Sequence, residues 1–212
     1  MAMSNPIEPL LHPVAIRDLR PTQMTVGIFE VEQKRAEWRA RQQRDGGKFL
    51  GGHMIPVVIG PGKEHWVIDH HHLARALEDE GVEHVLVSVV ARLDHLPKKR
   101  FFAFMDSHNW LHPYDAEGRR CDWKDLPRRV GKLIDDPYRS LAGKVRQAGG
   151  CAKSPSPYAE FLWADFFRDR IARDRVERAM GKAVDKAIIL ARSPAASYLP
   201  GFSGPDGGGD GD

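Results

Sequence analysis

An acid and three histidines, Asp69-His70-His71-His72, stand where an apolar run gives way to helical spacing. Before them, Val67 and Ile68 read as the end of a strand. After them, Leu73, Ala74 and Leu77 fall on one face of a helix that runs from about Leu73 to Glu80 and stops at Gly81. A strand that turns directly into a helix leaves backbone N–H groups pointing outward from a positive helix end. That arrangement suits a phosphate or another anion. Asp69 or a following histidine is placed to cap the helix. The same turn gathers groups that carry protons near neutral pH.

Flanking segments extend the pattern. Val14 to Leu19 alternates apolar and polar residues and reads as a short strand, with Pro21-Thr22-Gln23 as a turn. Glu30 to Arg44 lacks Gly and Pro and reads as a helix with Val31 and Trp38 as its apolar marks. Gly46, Gly47, Gly51 and Gly52 bracket a connecting loop. Ile55 to Ile59, Gly60-Pro61-Gly62 and His65 to Ile68 predict a hairpin. Val85 to Val90 is β-branched and predicts a buried strand, and Lys98 to Asn109 a helix with Phe101, Phe102 and Met105 inward.

After Tyr114 the character changes. Short polar helices and turns lead through Ser154-Pro155-Ser156-Pro157 to a long helix. In it Trp163, Phe167, Ile171, Val176, Met180, Val184 and Ile188 keep three-to-four-residue spacing, with a bend expected at Gly181. Strands in the first half and helices in the second predict an α+β core over 12–115, a helical extension over 119–195 and a disordered Gly/Asp tail over 203–212. No stretch approaches the roughly 20 apolar residues that span a bilayer, and no export signal opens the chain, so membrane partners are not expected. Cys121 and Cys151 then read as reduced thiols of a cytoplasmic protein. Between Arg119 and Arg192, 18 Lys/Arg face 10 Asp/Glu, a charge of +8, while the remainder carries 14 against 19, or −5. The basic half offers an alternative role in binding nucleic acid or a protein, although its acids and bases are interleaved.

The order strand, Arg17-Asp18-Leu19-Arg20-Pro21-Thr22, helix, Ile55-Pro56-Val57-Val58, glycine turn, Trp66 to His72, helix resembles the ParB-like nuclease and sulfiredoxin-like superfamily, and within it the ParB-like nuclease subgroup. The resemblance covers about residues 12–115. It implies a small mixed sheet with helices, and a phosphate at the start of the helix after the histidine loop. Its members bind ATP, ADP or CTP, or act on nucleic acid, so it also implies a nucleotide or nucleic-acid partner and Mg²⁺ or Mn²⁺. Carried over, it makes Asp69, His70, His71 and His72 phosphate-loop candidates, and Glu30 lies near the catalytic acid of the kinase branch. No cysteine lies between Met1 and Arg120, which argues against sulfiredoxin chemistry.

The residues themselves give Asp69, His70 and His71 as candidates for moving protons or stabilising charge, and His71, His72, Lys34 and Thr22 as candidates for holding an anion. Three adjacent histidines cannot all point one way, so one of them is expected to be buried. Asp69 and His108 are the metal candidates. His108 and His112 would share a helical face, but Pro113 ends the helix before His112.

Overall fold

A computed structural model describes residues 12–45 and 54–204. The glycine loop at 46–53 and most of the expected tail lie outside the described residues. The described chain forms two compact units. The first takes residues up to Met24, Val31–Tyr114 and Arg120–Leu133; the second takes Thr25–Glu30, Asp115–Arg119 and the chain from Ile134 onward.

The first unit is built on a five-stranded mixed sheet. Its strands are β1 (His12–Ala15), β2 (Leu19–Pro21), β4 (Ile55–Ile59), β5 (His65–Val67) and β6 (His84–Arg92), in the order β1-β6-β4-β5-β2. β1 runs antiparallel to β6, β6 parallel to β4, β4 antiparallel to β5, and β5 parallel to β2. The expected strand from Val14 to Leu19 is divided. A 3-10 turn at Ile16–Asp18 interrupts it, and the Ile16 amide donates to the Glu83 carbonyl at 3.0 Å instead of continuing the ladder.

β4 lies at the centre, and Ile55, Val57, Val58 and Ile59 are all buried. It turns into β5 through Gly60-Pro61-Gly62. Gly62 has φ +77°, a left-handed conformation that glycine adopts without a Cβ penalty. Of the apolar residues of α1 (Ile28–Asp45), Val31 and Trp38 are buried. α2 (His71–Asp79) packs Leu73, Ala74, Ala76 and Leu77 inward. Arg35 and Arg39 of α1 both bind the Glu80 carboxylate at 2.6–2.7 Å, tying the helix to the end of α2. α3 (Lys98–Ser107) buries Phe101, Phe102 and Met105, and Phe101 and Phe102 meet Trp66 and each other edge-on or tilted at 5.0–5.8 Å.

The second unit pairs β3 (Thr25–Val26) with β7 (Ile134–Asp135) in parallel. Its helices are α4 (Pro137–Gln147), α5 (Ala159–Arg168), α6 (Arg173–Arg178) and α7 (Met180–Ala191). The single long helix expected from the apolar spacing is therefore three. Ala172 is extended (φ −60°, ψ 140°), and Ala179 breaks the chain again at φ −144°, ψ 53°, two residues before Gly181. Trp163, Phe167, Ile171 and Val176 are buried as the spacing predicts, but α7 buries Ala183, Ala187 and Ala191, with Met180, Val184 and Ile188 only partly buried beside them.

No helix among the described residues is long and apolar enough to cross a membrane. Neither cysteine is in a disulfide.

Candidate functional site

The histidine loop is the link between β5 and α2. The Ile68 amide still donates to the Pro56 carbonyl at 3.1 Å, so sheet pairing persists to the edge of the loop. His70 then adopts φ 63°, ψ 29°, the left-handed region, which costs a non-glycine residue about 1–2 kcal/mol. Its ring Nδ1 lies 3.1 Å from the Met54 carbonyl, anchoring the strained residue at the entry to β4. The His70 turn sets the start of α2 one residue later, at His71, and no side chain caps that start. Asp69 does not cap α2 as the sequence suggested. Its Oδ1 accepts from the His70 amide at 2.7 Å, ahead of the helix, and its side chain is 76% exposed.

The three histidines diverge. His70 is half-exposed, His72 is intermediate, and His71 is the buried one. The Thr22 amide donates to His71 Nε2 at 3.2 Å. The Thr22 hydroxyl donates to the Val67 carbonyl at 2.7 Å, leaving the amide as the donor that Nε2 receives. A ring nitrogen that accepts carries no proton, so His71 is neutral in this arrangement with its hydrogen on Nδ1. Thr22 and His71 thus bind the end of β2 to the start of α2, and Thr22 also accepts the His112 amide through its carbonyl at 2.8 Å.

The remaining candidates are placed elsewhere. Lys34 is ion-paired to Glu37 at 2.9 Å on the same helix. His108 stacks on Phe104 with ring centroids 3.8 Å apart, and its Nδ1 meets the Phe104 carbonyl at 2.9 Å and the Ser107 hydroxyl at 3.1 Å. Among the described residues no three His, Cys, Asp or Glu side chains gather as a metal site would require. Arg75, the arginine nearest the loop, points to Asp79 and to the Leu133 carbonyl.

Glu30 belongs to the second unit, where it joins a buried polar cluster that the sequence did not reveal. Ser140 of α4 accepts the Phe29 amide at 3.1 Å, and Asp135 accepts that of Ile28 at 2.9 Å, which fixes the first turn of α1. The Glu30 carboxylate lies against Gly27 and Gly143, where an added Cβ would collide with it. Neither of its oxygens has a hydrogen-bond partner outside its own residue. Burial pushes the Glu30 carboxyl up to about 7, with its own backbone amide and the arginines Arg139 and Arg146 opposing the shift.

Asp136 caps α4, taking the Tyr138 amide at 3.0 Å on one oxygen and Arg168 at 2.6 Å on the other. Arg139 is 4% exposed, and burial lowers its guanidinium from the ordinary value. One signal for this cluster was present in the sequence. Asp136-Pro137 has the form of a capping residue followed by Pro at the first helical position, but Pro137 alone reads as a break. Nothing in the sequence joins Glu30 to Arg139.

These features coincide with a known family. The family model described as "Putative ParB-like nuclease" matches residues 12–169. A solved structure, that of protein Atu1540 from Agrobacterium tumefaciens, matches with a TM-score of 0.86 and 48% identity, covering 92% of this chain and 99% of that one. No curated protein matches the chain. The fold is α+β with a small mixed sheet and a helical second part, and the chain belongs to the ParB-like nuclease family.

Proposed function

We propose that this protein acts on a phosphate ester or anhydride, in a nucleotide such as ATP, ADP or CTP or in a nucleic-acid strand, with the phosphate held at the start of α2. The observation that carries this reading is the left-handed His70 followed by a helix start without a side-chain cap. Backbone N–H groups and the helix dipole favour an anion there. The exposed His70 is the proton carrier, and in its protonated form it stabilises charge growing on phosphate. His71, engaged by Thr22, positions the loop rather than exchanging protons. Such catalysis is positioning plus electrostatics.

The donor set limits the role of a metal. Asp69 offers one exposed carboxylate. That fits Mg²⁺ or Mn²⁺ carried largely by substrate phosphates and water, not a cage of protein ligands. Asp69 would hold the ion, which would offset charge on the phosphate oxygens.

Thermal unfolding against inorganic phosphate, ATP, ADP and CTP, with and without Mg²⁺ or Mn²⁺, tests the reading. Ligand at one hundred times its dissociation constant stabilises by about 2.7 kcal/mol. His70→Ala and Asp69→Ala should remove that gain and any hydrolysis. If both variants keep them, the loop is not the site.

A second reading, a nucleic-acid-binding module without turnover, has one observation in its favour. Phe104, His108 and Trp110 form an aromatic row at partly or fully exposed positions, with His108 and Trp110 centroids 5.2 Å apart. Such rows stack single-stranded bases. The basic second half supports it less. Arg168 binds Asp136 and Asp165, Arg173 binds Glu117 and Glu177, and Arg170 lies on the Phe166 ring. Salt-sensitive binding of single strands that is lost in Trp110→Ala and kept in His70→Ala would favour this module.

A further inference from the structure

We propose that the second unit holds an oxyanion, a phosphate- or sulfate-type group, between the Arg139 guanidinium and the Glu30 carboxyl. The site is separate from the α2 loop and does not depend on the reading given for it.

Arg139 is enclosed but not satisfied. Phe161 covers one face of its guanidinium, 3.7 Å from the ring centroid. Its Nη2 lies 3.7 Å from Glu160 Oε2, and its Nε and Nη1 have no hydrogen-bond partner. Buried polar groups are paired as a rule, and a buried charged donor most of all. Glu30 presents the complementary case, two buried oxygens with no partner beyond its own amide. Each is an electrostatic neighbour of the other, yet the ion-pair partner of Arg139 is Glu160 and not Glu30. Arg139 and Gly143 are four residues apart on α4 and share a face. The carboxyl seated against Gly143 and the guanidinium therefore address the same space.

The open donors, rather than a net charge, favour an anion. Asp136 and Asp165 share Arg168, and Glu160 is shared by Arg146 at 3.1 Å and Arg139 at 3.7 Å. Three guanidiniums thus face three carboxylates, and what remains open beside Glu30 is a pair of donors, Arg139 Nε and Nη1. A neutral Glu30 donates one hydrogen bond and adds no negative charge, so a tetrahedral oxyanion can accept from both residues. A cation would have to sit against the guanidinium. The groups that bear on Glu30 are Glu160, Arg139 and Arg146, and Lys144 of α4 lies on the ring of the adjacent Phe29. Burial favours the neutral carboxyl up to about pH 7, and above that the ionised form repels the anion.

Sulfate is the probe, because it does not titrate near neutrality. Calorimetric titration of the full chain, against chloride at equal ionic strength, should show saturable binding. Binding only to the protonated form makes the apparent affinity about tenfold weaker at pH 8 than at pH 6, in proportion to the competent fraction. Glu30→Gln keeps a neutral donor and should bind equally at both pH values. A pH dependence that came from His70 would survive in Glu30→Gln. Arg139→Met should abolish binding; if that variant does not fold, the Glu30→Gln comparison decides. No saturable binding, an affinity independent of pH in the parent chain, or a pH dependence retained in Glu30→Gln would overturn the site.

Discussion

Asp69 and His70 stand in solvent beside a helix start, whereas Glu30 and Arg139 are enclosed beside one. The first pair comes from adjacent residues and one strained turn. The second comes from residues more than one hundred positions apart that meet only when α1 and α4 pack. The His70 ring is half in solvent, with one nitrogen on the Met54 carbonyl at 3.1 Å. Enclosure makes Glu30 and Arg139 costly groups, and it ties the protonation of Glu30 to folding. Changes in the exposed loop should therefore alter chemistry with little effect on stability, and changes in the enclosed cluster should alter stability first. His71 is the exception in the loop, since it is buried.

The largest effect should come from Gly143→Ala. The new Cβ falls on the Glu30 carboxylate, and that enclosed side chain must leave its seat to make room. A loss of about 3 kcal/mol is expected from urea unfolding. Adding Glu30→Ala should restore most of it as a coupling term. A loss below about 0.5 kcal/mol would mean that the carboxyl is not seated there.

Next is the pH dependence of that same carboxyl. Its folded value of about 7 exceeds the ordinary 4.5. The folded state thus holds a proton that the unfolded state has released. The stabilising contribution is full below about pH 4.5, declines as pH rises and is gone above about 7. The span is at most about 3 kcal/mol. Denaturation of the parent chain compared with Glu30→Gln across that range measures it, and parallel curves would contradict the burial argument.

In the first unit, His71→Ala should cost about 2 kcal/mol, because the buried Thr22 amide loses its acceptor. His70→Gly should do the reverse and gain up to about 1 kcal/mol by relieving the left-handed backbone, while removing the proton carrier. Chemical denaturation of both variants separates the anchoring histidine from the reactive one. Equal effects of the same sign would erase that distinction.

Much of the first unit was legible in the sequence because its signals are local. The strand-to-helix junction occupies consecutive residues, and the buried face of α3 shows at Phe101, Phe102 and Met105. The hairpin of β4 and β5 is marked by its glycine turn. The break at Ala172 was hidden, since alanine is the best helix former and no glycine or proline stands beside it, whereas the break at Ala179 falls two residues before Gly181, where a bend was expected. Which histidine is buried was also hidden. It depends on the left-handed turn at His70, which shifts the helix start and rotates His71 inward toward Thr22. The enclosed cluster was illegible for a related reason: a sequence window cannot show that Gly143 is small so that Glu30 can approach.

The most direct test of the phosphate site follows backbone amide resonances during a titration with inorganic phosphate. The account predicts saturable shifts of the His71, His72 and Leu73 amides that disappear in His70→Ala. Amides at the start of α2 that stay still while phosphate binds elsewhere, or does not bind at all, would contradict it.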